Sequence, residues 1–163
     1  MKTIEAIHLF FALKQFQQTQ PPQLPMSVKL AYAVERNLRT LQPIYEAYQA
    51  AADPMKFPII AAFENARREY VLSQARKLED GSPSILPNGD ADLADRPAVE
   101  KHVAEMRAGY AGLAAEEEEL SKRVSELNEQ QEDIIVHTVN LKFFPEHMAP
   151  GLISGLFPMI VDD

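Results

Sequence analysis

From Val99 to Ile134 apolar residues recur at alternating steps of four and three: Val99, Val103, Met106, Tyr110, Leu113, Leu120, Val124, Leu127 and Ile134, with Glu117 and Gln131 as the interruptions. A sustained 3.5-residue period reads as one helix with a narrow apolar seam, which another helix of this chain or of a second copy has to cover. At roughly 1.5 Å per residue the helix is about 54 Å long. That exceeds every other helical stretch, so part of the seam is expected to lack an intrachain partner, and self-association is the simplest remedy. The expected interface residues are Val103, Met106, Tyr110, Leu113, Glu117, Leu120, Val124 and Leu127. Glu117 is the charged member of the seam; Arg67 or Arg68 can neutralise it, or the seam ends there.

At 163 residues the chain is read as a single domain, 1–163, large enough to bury a core without metal or disulfide help. Sixteen basic side chains against twenty-four acidic give a net charge of −8. The excess lies in the second half, around Glu116 to Glu119 and at Glu126, Glu129, Glu132 and Asp133. Such a surface repels nucleic-acid backbone and anionic membrane, so neither is an expected partner. A basic protein is a partner that this face could attract, while the plainer reading is a solvated helix face. With no cysteine, disulfides, thiolate nucleophiles and Cys-ligated zinc are out of consideration. No stretch approaches the roughly 20 apolar residues of a membrane span, and the apolar run Ile7 to Leu13 reads as part of a mature helix, not a signal peptide.

The remaining elements follow from periodicity and punctuation. A first helix, about 3–17, is apolar over more than half its circumference (Ile4, Ile7, Phe11, with Leu9, Phe10 and Leu13) and is expected to be sandwiched. Gln18 to Pro25, with three prolines, reads as a stiff linker. Ser27 is placed to cap a second helix, about 27–52, in which Pro43 predicts a kink or break near Leu41 at a cost of around 3 kcal/mol. Pro58 opens a third, about 58–78. The segment 80–95 is rich in turn formers, and Asn88-Gly89 signals a ribbon or loop. Asp95 and Pro97 open the long helix, about 97–133, where Gly109 and Gly112 each cost roughly 1 kcal/mol against alanine. Residues 135–144 then alternate with period two, Ile135, His137, Val139, Leu141 and Phe143 on one face, as in a half-buried strand that can pair with the ribbon. A short apolar helix, about 149–160, follows. The expected fold class is mainly α: a helical bundle or long helical hairpin with a small antiparallel β element.

Candidate chemistry is sparse. His8, His102, His137 and His147 lie in separate segments, and Glu5-x-x-His8 supplies only half of a helical di-iron motif, without the second copy or further glutamates that site needs. Phosphate loops, nucleophile elbows and His-Glu-x-x-His are absent from the sequence. Arg67, Arg68, Tyr70, Arg76 and Lys77 form the sole basic patch with an aromatic, in acidic surroundings that disfavour nucleic acid. The reading is a non-enzyme with no catalytic, metal or cofactor residues and no cofactor.

The opening Leu9-Phe10-Phe11-Ala12-Leu13-Lys14, the helix Lys29-Leu30-Ala31-Tyr32-Ala33-Val34-Glu35-Arg36-Asn37-Leu38 running into Leu41-Gln42-Pro43, the Asp80-Gly81 to Asp95 turn segment and the closing Leu152-Ile153-Ser154-Gly155-Leu156-Phe157-Pro158-Met159-Ile160 resemble a family of short helical proteins of tailed bacteriophages and prophages. The family has no assigned activity and lends no catalytic residues. The resemblance implies a viral gene product acting in a bacterial host cytoplasm or within a phage particle. The expected role is that of a structural or assembly protein whose partners are itself and other phage or host proteins. The alternative is an acidic regulator or host-interaction factor that binds a basic host protein.

Overall fold

A computed structural model describes residues 1–19, 26–145 and 147–162, which are mainly α-helical. The helices are α1 (Thr3–Thr19), α2 (Val28–Ala51), α3 (Pro58–Gln74), α4 (Arg96–Gly109), α5 (Leu113–Glu129) and α6 (Pro150–Leu156), with two short strands, β1 (Val139–Asn140) and β2 (Ile160–Val161). They gather into two compact units: Met1–Ala52 with Arg123–Asp163, and Asp53–Lys122. Gln18 and Thr19 belong to α1, and the rest of the expected proline-rich linker lies outside the described residues.

In the first unit α1 is buried on most sides, through Ala6, Ile7, Leu9, Phe10, Ala12, Leu13 and Phe16. It packs against α2 and against α6. The contact with α6 is close enough to require glycine: a Cβ on Gly155 would stand 2.6 Å from the Ala12 Cβ. Ahead of α1, the backbone of Lys2 bridges Gln131 in antiparallel sense, and Glu5 accepts the Lys2 N–H at 2.8 Å as the returning half of a capping box. Ser27 caps α2 as expected, accepting from Leu30 N at 3.3 Å.

Pro43 does not break α2, which runs unbroken to Ala51. Both Pro43 and Arg39, whose carbonyl loses its i+4 donor, are exposed. Water can therefore serve that carbonyl, which offsets part of the cost of the missing bond.

The segment after α5 crosses the core without a strand partner over most of its length. Its main chain is held by Asn37 of α2, which is 1% exposed. The Asn37 side chain accepts from His137 N at 2.8 Å and donates to His137 O at 3.0 Å, so one amide does for His137 what a neighbouring strand would do. The expected strand over 135–144 shrinks to β1 because Asn140 caps a 3-10 turn at Leu141–Phe143, accepting from Lys142 N at 3.0 Å. Its expected inner face is also altered: Ile135 is 80% exposed, while Ile134 and Val136 pack on the core. The β element is parallel, not antiparallel: Val139 pairs with Ile160 and Asn140 with Val161. The partner of β1 is thus β2 and not the Asn-Gly ribbon.

In the second unit α3 starts at Pro58 as expected, but its N-cap Phe57 offers no side-chain acceptor. Glu116, in the first turn of α5, replaces it: one carboxylate oxygen accepts from Ile59 N at 2.9 Å and Ile60 N at 3.0 Å. A carboxylate at these orphan donors also complements the helix dipole. The helix ends at Gln74, short of Leu78, because Ala75 turns extended and enters the ribbon. There three backbone bonds form a ring: Arg76 N to Asp92 O at 2.8 Å, Asp92 N to Ser84 O at 2.9 Å and Ser84 N to Arg76 O at 2.7 Å. Two tight turns with Gly81 (φ +81°) and Gly89 (φ +86°) close the loops between them.

Asp95 caps α4, accepting from Ala98 N at 3.0 Å. The single long helix expected over 97–133 is divided. Tyr110, Ala111 and Gly112 form a turn closed by Leu113 N to Tyr110 O at 3.2 Å, with Gly112 at φ +88° in the third position, the type II pattern. A heptad pattern describes side-chain spacing and is blind to one glycine that adopts the left-handed region. After the turn α5 runs only to Glu129, so Ile134 lies beyond it.

Three outcomes test this account. Asn37→Ala leaves the His137 main chain without its partner and should destabilise the first unit by about 2 kcal/mol in urea unfolding; Asn37→Asp, which keeps the acceptor but loses the donor, should recover only part of that. Glu116→Ala should cost about 1 kcal/mol and raise amide exchange in the first turn of α3, whereas Glu119→Ala at an exposed position should stay within about 0.5 kcal/mol of the parent. In the ribbon, the Ser82 hydroxyl at 2.6 Å and the Ser82 N–H at 2.9 Å both donate to Asp80, which lowers its carboxyl below the ordinary 3.8. The turn is thus favoured above that value and loosened as pH falls through the depressed one. A carboxyl NMR titration should show a midpoint below 3.8 that returns towards it in Ser82→Ala.

Candidate functional site

Of the expected interface residues of the seam, Leu113 is buried and the other members are half-buried. Val103, Met106, Tyr110, Leu113 and Leu120 pack in one cluster with Phe57, Ile60 and Phe63 of the second unit. The Tyr110 ring meets Phe63 edge-on at 5.4 Å. Glu117 is paired with Arg107, across the turn, and not with Arg67 or Arg68; Arg67 instead holds Glu64 at 2.7 Å. Val124 and Leu127 are half-buried. The basic patch is likewise largely engaged: Arg76 lies 3.8 Å from Asp92, and Tyr70 rests on His102 with ring centres 4.2 Å apart.

The surface with the properties of a contact site is on α1. Its buried circumference leaves one strip open, and there Phe11 is 51% exposed. The periodicity groups Phe11 on one face with Ile4, Ile7 and Lys14 of a helix expected to be sandwiched. A helix covered on most sides still has one face to water, and periodicity cannot say which apolar residue falls on it. Phe11 is held from behind by aromatic rings: Phe10 at 5.9 Å and 68°, and Tyr45 of α2 at 5.2 Å and 80°. Tyr45 in turn stacks on Phe10 at 4.7 Å, accepts a hydrogen bond from Gln49 at 2.7 Å, and the Lys14 ammonium sits 5.5 Å from the Phe10 ring centre.

Phe11 forms the ridge between two grooves. One, of about 460 Å³, lies between α1 and α6 and is lined by Glu5, His8, Ala12, Gln15, Ser154, Gly155 and Pro158. The other, of about 510 Å³, runs along Phe10, Lys14, Gln42 and Tyr45. The first groove brings a carboxylate, an imidazole and a hydroxyl into one lining, but Glu5 is committed to the Lys2 N–H, and His8 and Ser154 share no hydrogen bond among the described residues. Among the described residues there is also no group of three His, Cys, Asp or Glu able to hold a metal ion, and no helix is long and apolar enough to cross a membrane.

The second unit has a groove of its own, about 590 Å³, walled by α3, the ribbon and α4. Arg67, Arg96 and Arg107 line it beside Glu64, Asp90 and Glu100, over a floor that includes Phe63, Val71 and Val99. The Arg107 guanidinium lies 5.8 Å over the Phe63 ring. Sequence reading grouped Arg67 with its neighbours in the chain and missed Arg96 and Arg107, which the fold brings from another helix. Comparison of the chain with protein-family models, with curated proteins and with solved structures finds no match.

Proposed function

We propose that this is a non-enzymatic structural or assembly protein of a tailed bacteriophage or prophage, working in the host cytoplasm or in the particle through helix-mediated contacts with other proteins. The observation that carries the reading is Phe11, half-exposed yet fixed by two rings between two grooves. A phenylalanine buries about 200 Å² when fully covered, so covering the exposed half is worth about 2.5 kcal/mol. A rigid aromatic loses little freedom on docking, which is the physical profile of an interface anchor. Further apolar side chains of the same unit stand in water: Tyr32 at 59%, Ile135 at 80% and Phe157 at 63% exposed. The segments that resemble the phage family, Leu9 to Lys14 and Leu152 to Ile160, supply residues to both walls of the groove between α1 and α6.

The acidic-regulator reading draws less support. Of the run Glu116 to Glu119, Glu116 caps α3 and Glu117 pairs with Arg107, which leaves two carboxylates for an external cation.

The test is co-sedimentation with assembly intermediates and particles from cells that carry the encoding phage, comparing tagged parent protein with Phe11→Asp. The parent should travel with particle components, and the variant, folded because the position faces water, should lose at least tenfold in association. A parent that never accompanies particle proteins, or a variant that binds as well as the parent, would overturn the reading.

A further inference from the structure

The 4-3 spacing passes through the bend between α4 and α5 without losing phase: Met106, Tyr110, Leu113, Glu117 and Leu120 keep one register although Tyr110 to Gly112 have left the helix. Met106, Tyr110, Leu113 and Leu120 cluster with Ile60 and Phe63 of α3 in the bent form, and the same four would share one face of a continuous helix. The bend itself is held by contacts that a straight helix cannot make. Arg107 and Glu117 are paired, yet ten residues of α-helix would separate them by about 15 Å along the axis. Glu116, the neighbour of Glu117, bonds the first turn of α3. The turn uses one residue, Gly112, in a conformation that a side chain resists.

We propose that α4 and α5 have a second form, one continuous helix paired in parallel with the same helix of a second copy. In the bent form Tyr110 and Leu113 are covered by α3; in the straight form the partner's seam covers them. The choice of a second copy, and of two strands, comes from the register. Written as heptads, the a positions include Val103 and Val124 and the d positions include Leu113, Leu120 and Leu127, the β-branched and leucine alternation that favours parallel dimers. Glu117 also falls at an a position. There it faces its counterpart across the dimer, while in the bent form it has Arg107, so this one residue biases the chain towards the bent monomer. The proposal deepens the assembly reading by naming a second copy as a partner. It uses none of the Phe11 surface, so either can fail alone.

The chain has no cysteine, so Lys101→Cys and Glu119→Cys, both at exposed positions, allow a spin-label distance within one chain, diluted with unlabelled protein. In a straight helix the two positions lie about 27 Å apart along the axis. The parent should shift from monomer with a shorter distance to dimer with the 27 Å distance as concentration rises, by light scattering and pulsed EPR together. Gly112→Ala disfavours the turn, and its Cβ would meet Ile59 Cδ1 at 2.9 Å. Glu117→Leu removes the clamp and leaves the turn intact. Each should lower the dimerisation midpoint at least tenfold. Ala111→Pro fits the second position of a type II turn, with Tyr110 at φ −87° and ψ 89° ahead of it, and forbids the straight helix. That variant should stay monomeric, and Phe11→Asp should behave as the parent. Monomers with the short distance in the parent and in both activating variants, a dimer that keeps the short distance, or a dimer from Ala111→Pro would each overturn the proposal.

Discussion

The structure of the first unit depends on one amide. Between α5 and β1 the main chain passes over the core with no strand ladder along most of its length to receive its inward-facing peptide groups. Asn37 supplies donor and acceptor together to His137 from the middle of α2. Its burial is tolerable only because both ends of the amide are used. Once His137 is placed, Val139 is carried to Ile160, and the parallel pair draws the residues after α6 back against the core that α1 occupies. The second unit uses the same device with a different group: the carboxylate of Glu116 serves two amide donors that Phe57 cannot serve. In both, a polar side chain from a distant point of the chain completes a backbone that local sequence leaves open.

That division explains what was legible in the sequence. Helix starts at Ser27, Pro58 and Asp95 were readable because each signal acts within three residues of itself. The mainly α class and the turn at Asn88-Gly89 were readable for the same reason, but not whether that segment is a ribbon or a loop, which the backbone ring of Arg76, Ser84 and Asp92 decides. The position of Glu116 was not, since its partners lie 57 and 56 residues away and a run of glutamates looks like solvated surface. That α2 is not broken at Pro43 was not legible either, since whether the deprived carbonyl faces water is a property of the packed helix and not of the proline. Tyr110 to Gly112 escaped notice because the heptad pattern records which side chains share a face, while the turn is decided by one φ angle at Gly112. The parallel sense of β1 and β2 is set by the return of the chain after α6, which no alternation pattern encodes. For the candidate site, the aromatic character of Phe10, Phe11 and Tyr45 was visible, but not that Phe11 alone of the α1 core-type residues would stand half in water.

The two units also divide the ways in which a protein of this kind can meet others. The ridge on α1 is rigid: its aromatic rings brace one another and its neighbouring grooves are built on helix-to-helix contacts as close as that of Gly155 with Ala12. Recognition there requires a partner that fits what is already present. In the second unit, by contrast, charged side chains are held in internal pairs, Arg67 with Glu64 and Arg107 with Glu117, over an aromatic and aliphatic floor. Such pairs are partly exposed, are individually weak and re-form at little cost, so that region is suited to rearrangement and the first to a fixed contact.

The ring of backbone bonds in the ribbon has a modular consequence. Arg76, Ser84 and Asp92 stand eight residues apart, and the two loops between them carry Asp80-Gly81 and Asn88-Gly89 at matching places. The ring closes through main-chain atoms alone, so the loop tips are free of its geometry and the chain enters and leaves at one end of a small cyclic frame. A foreign peptide spliced at either glycine would hang from the corner of that frame without altering the path of α3 into α4.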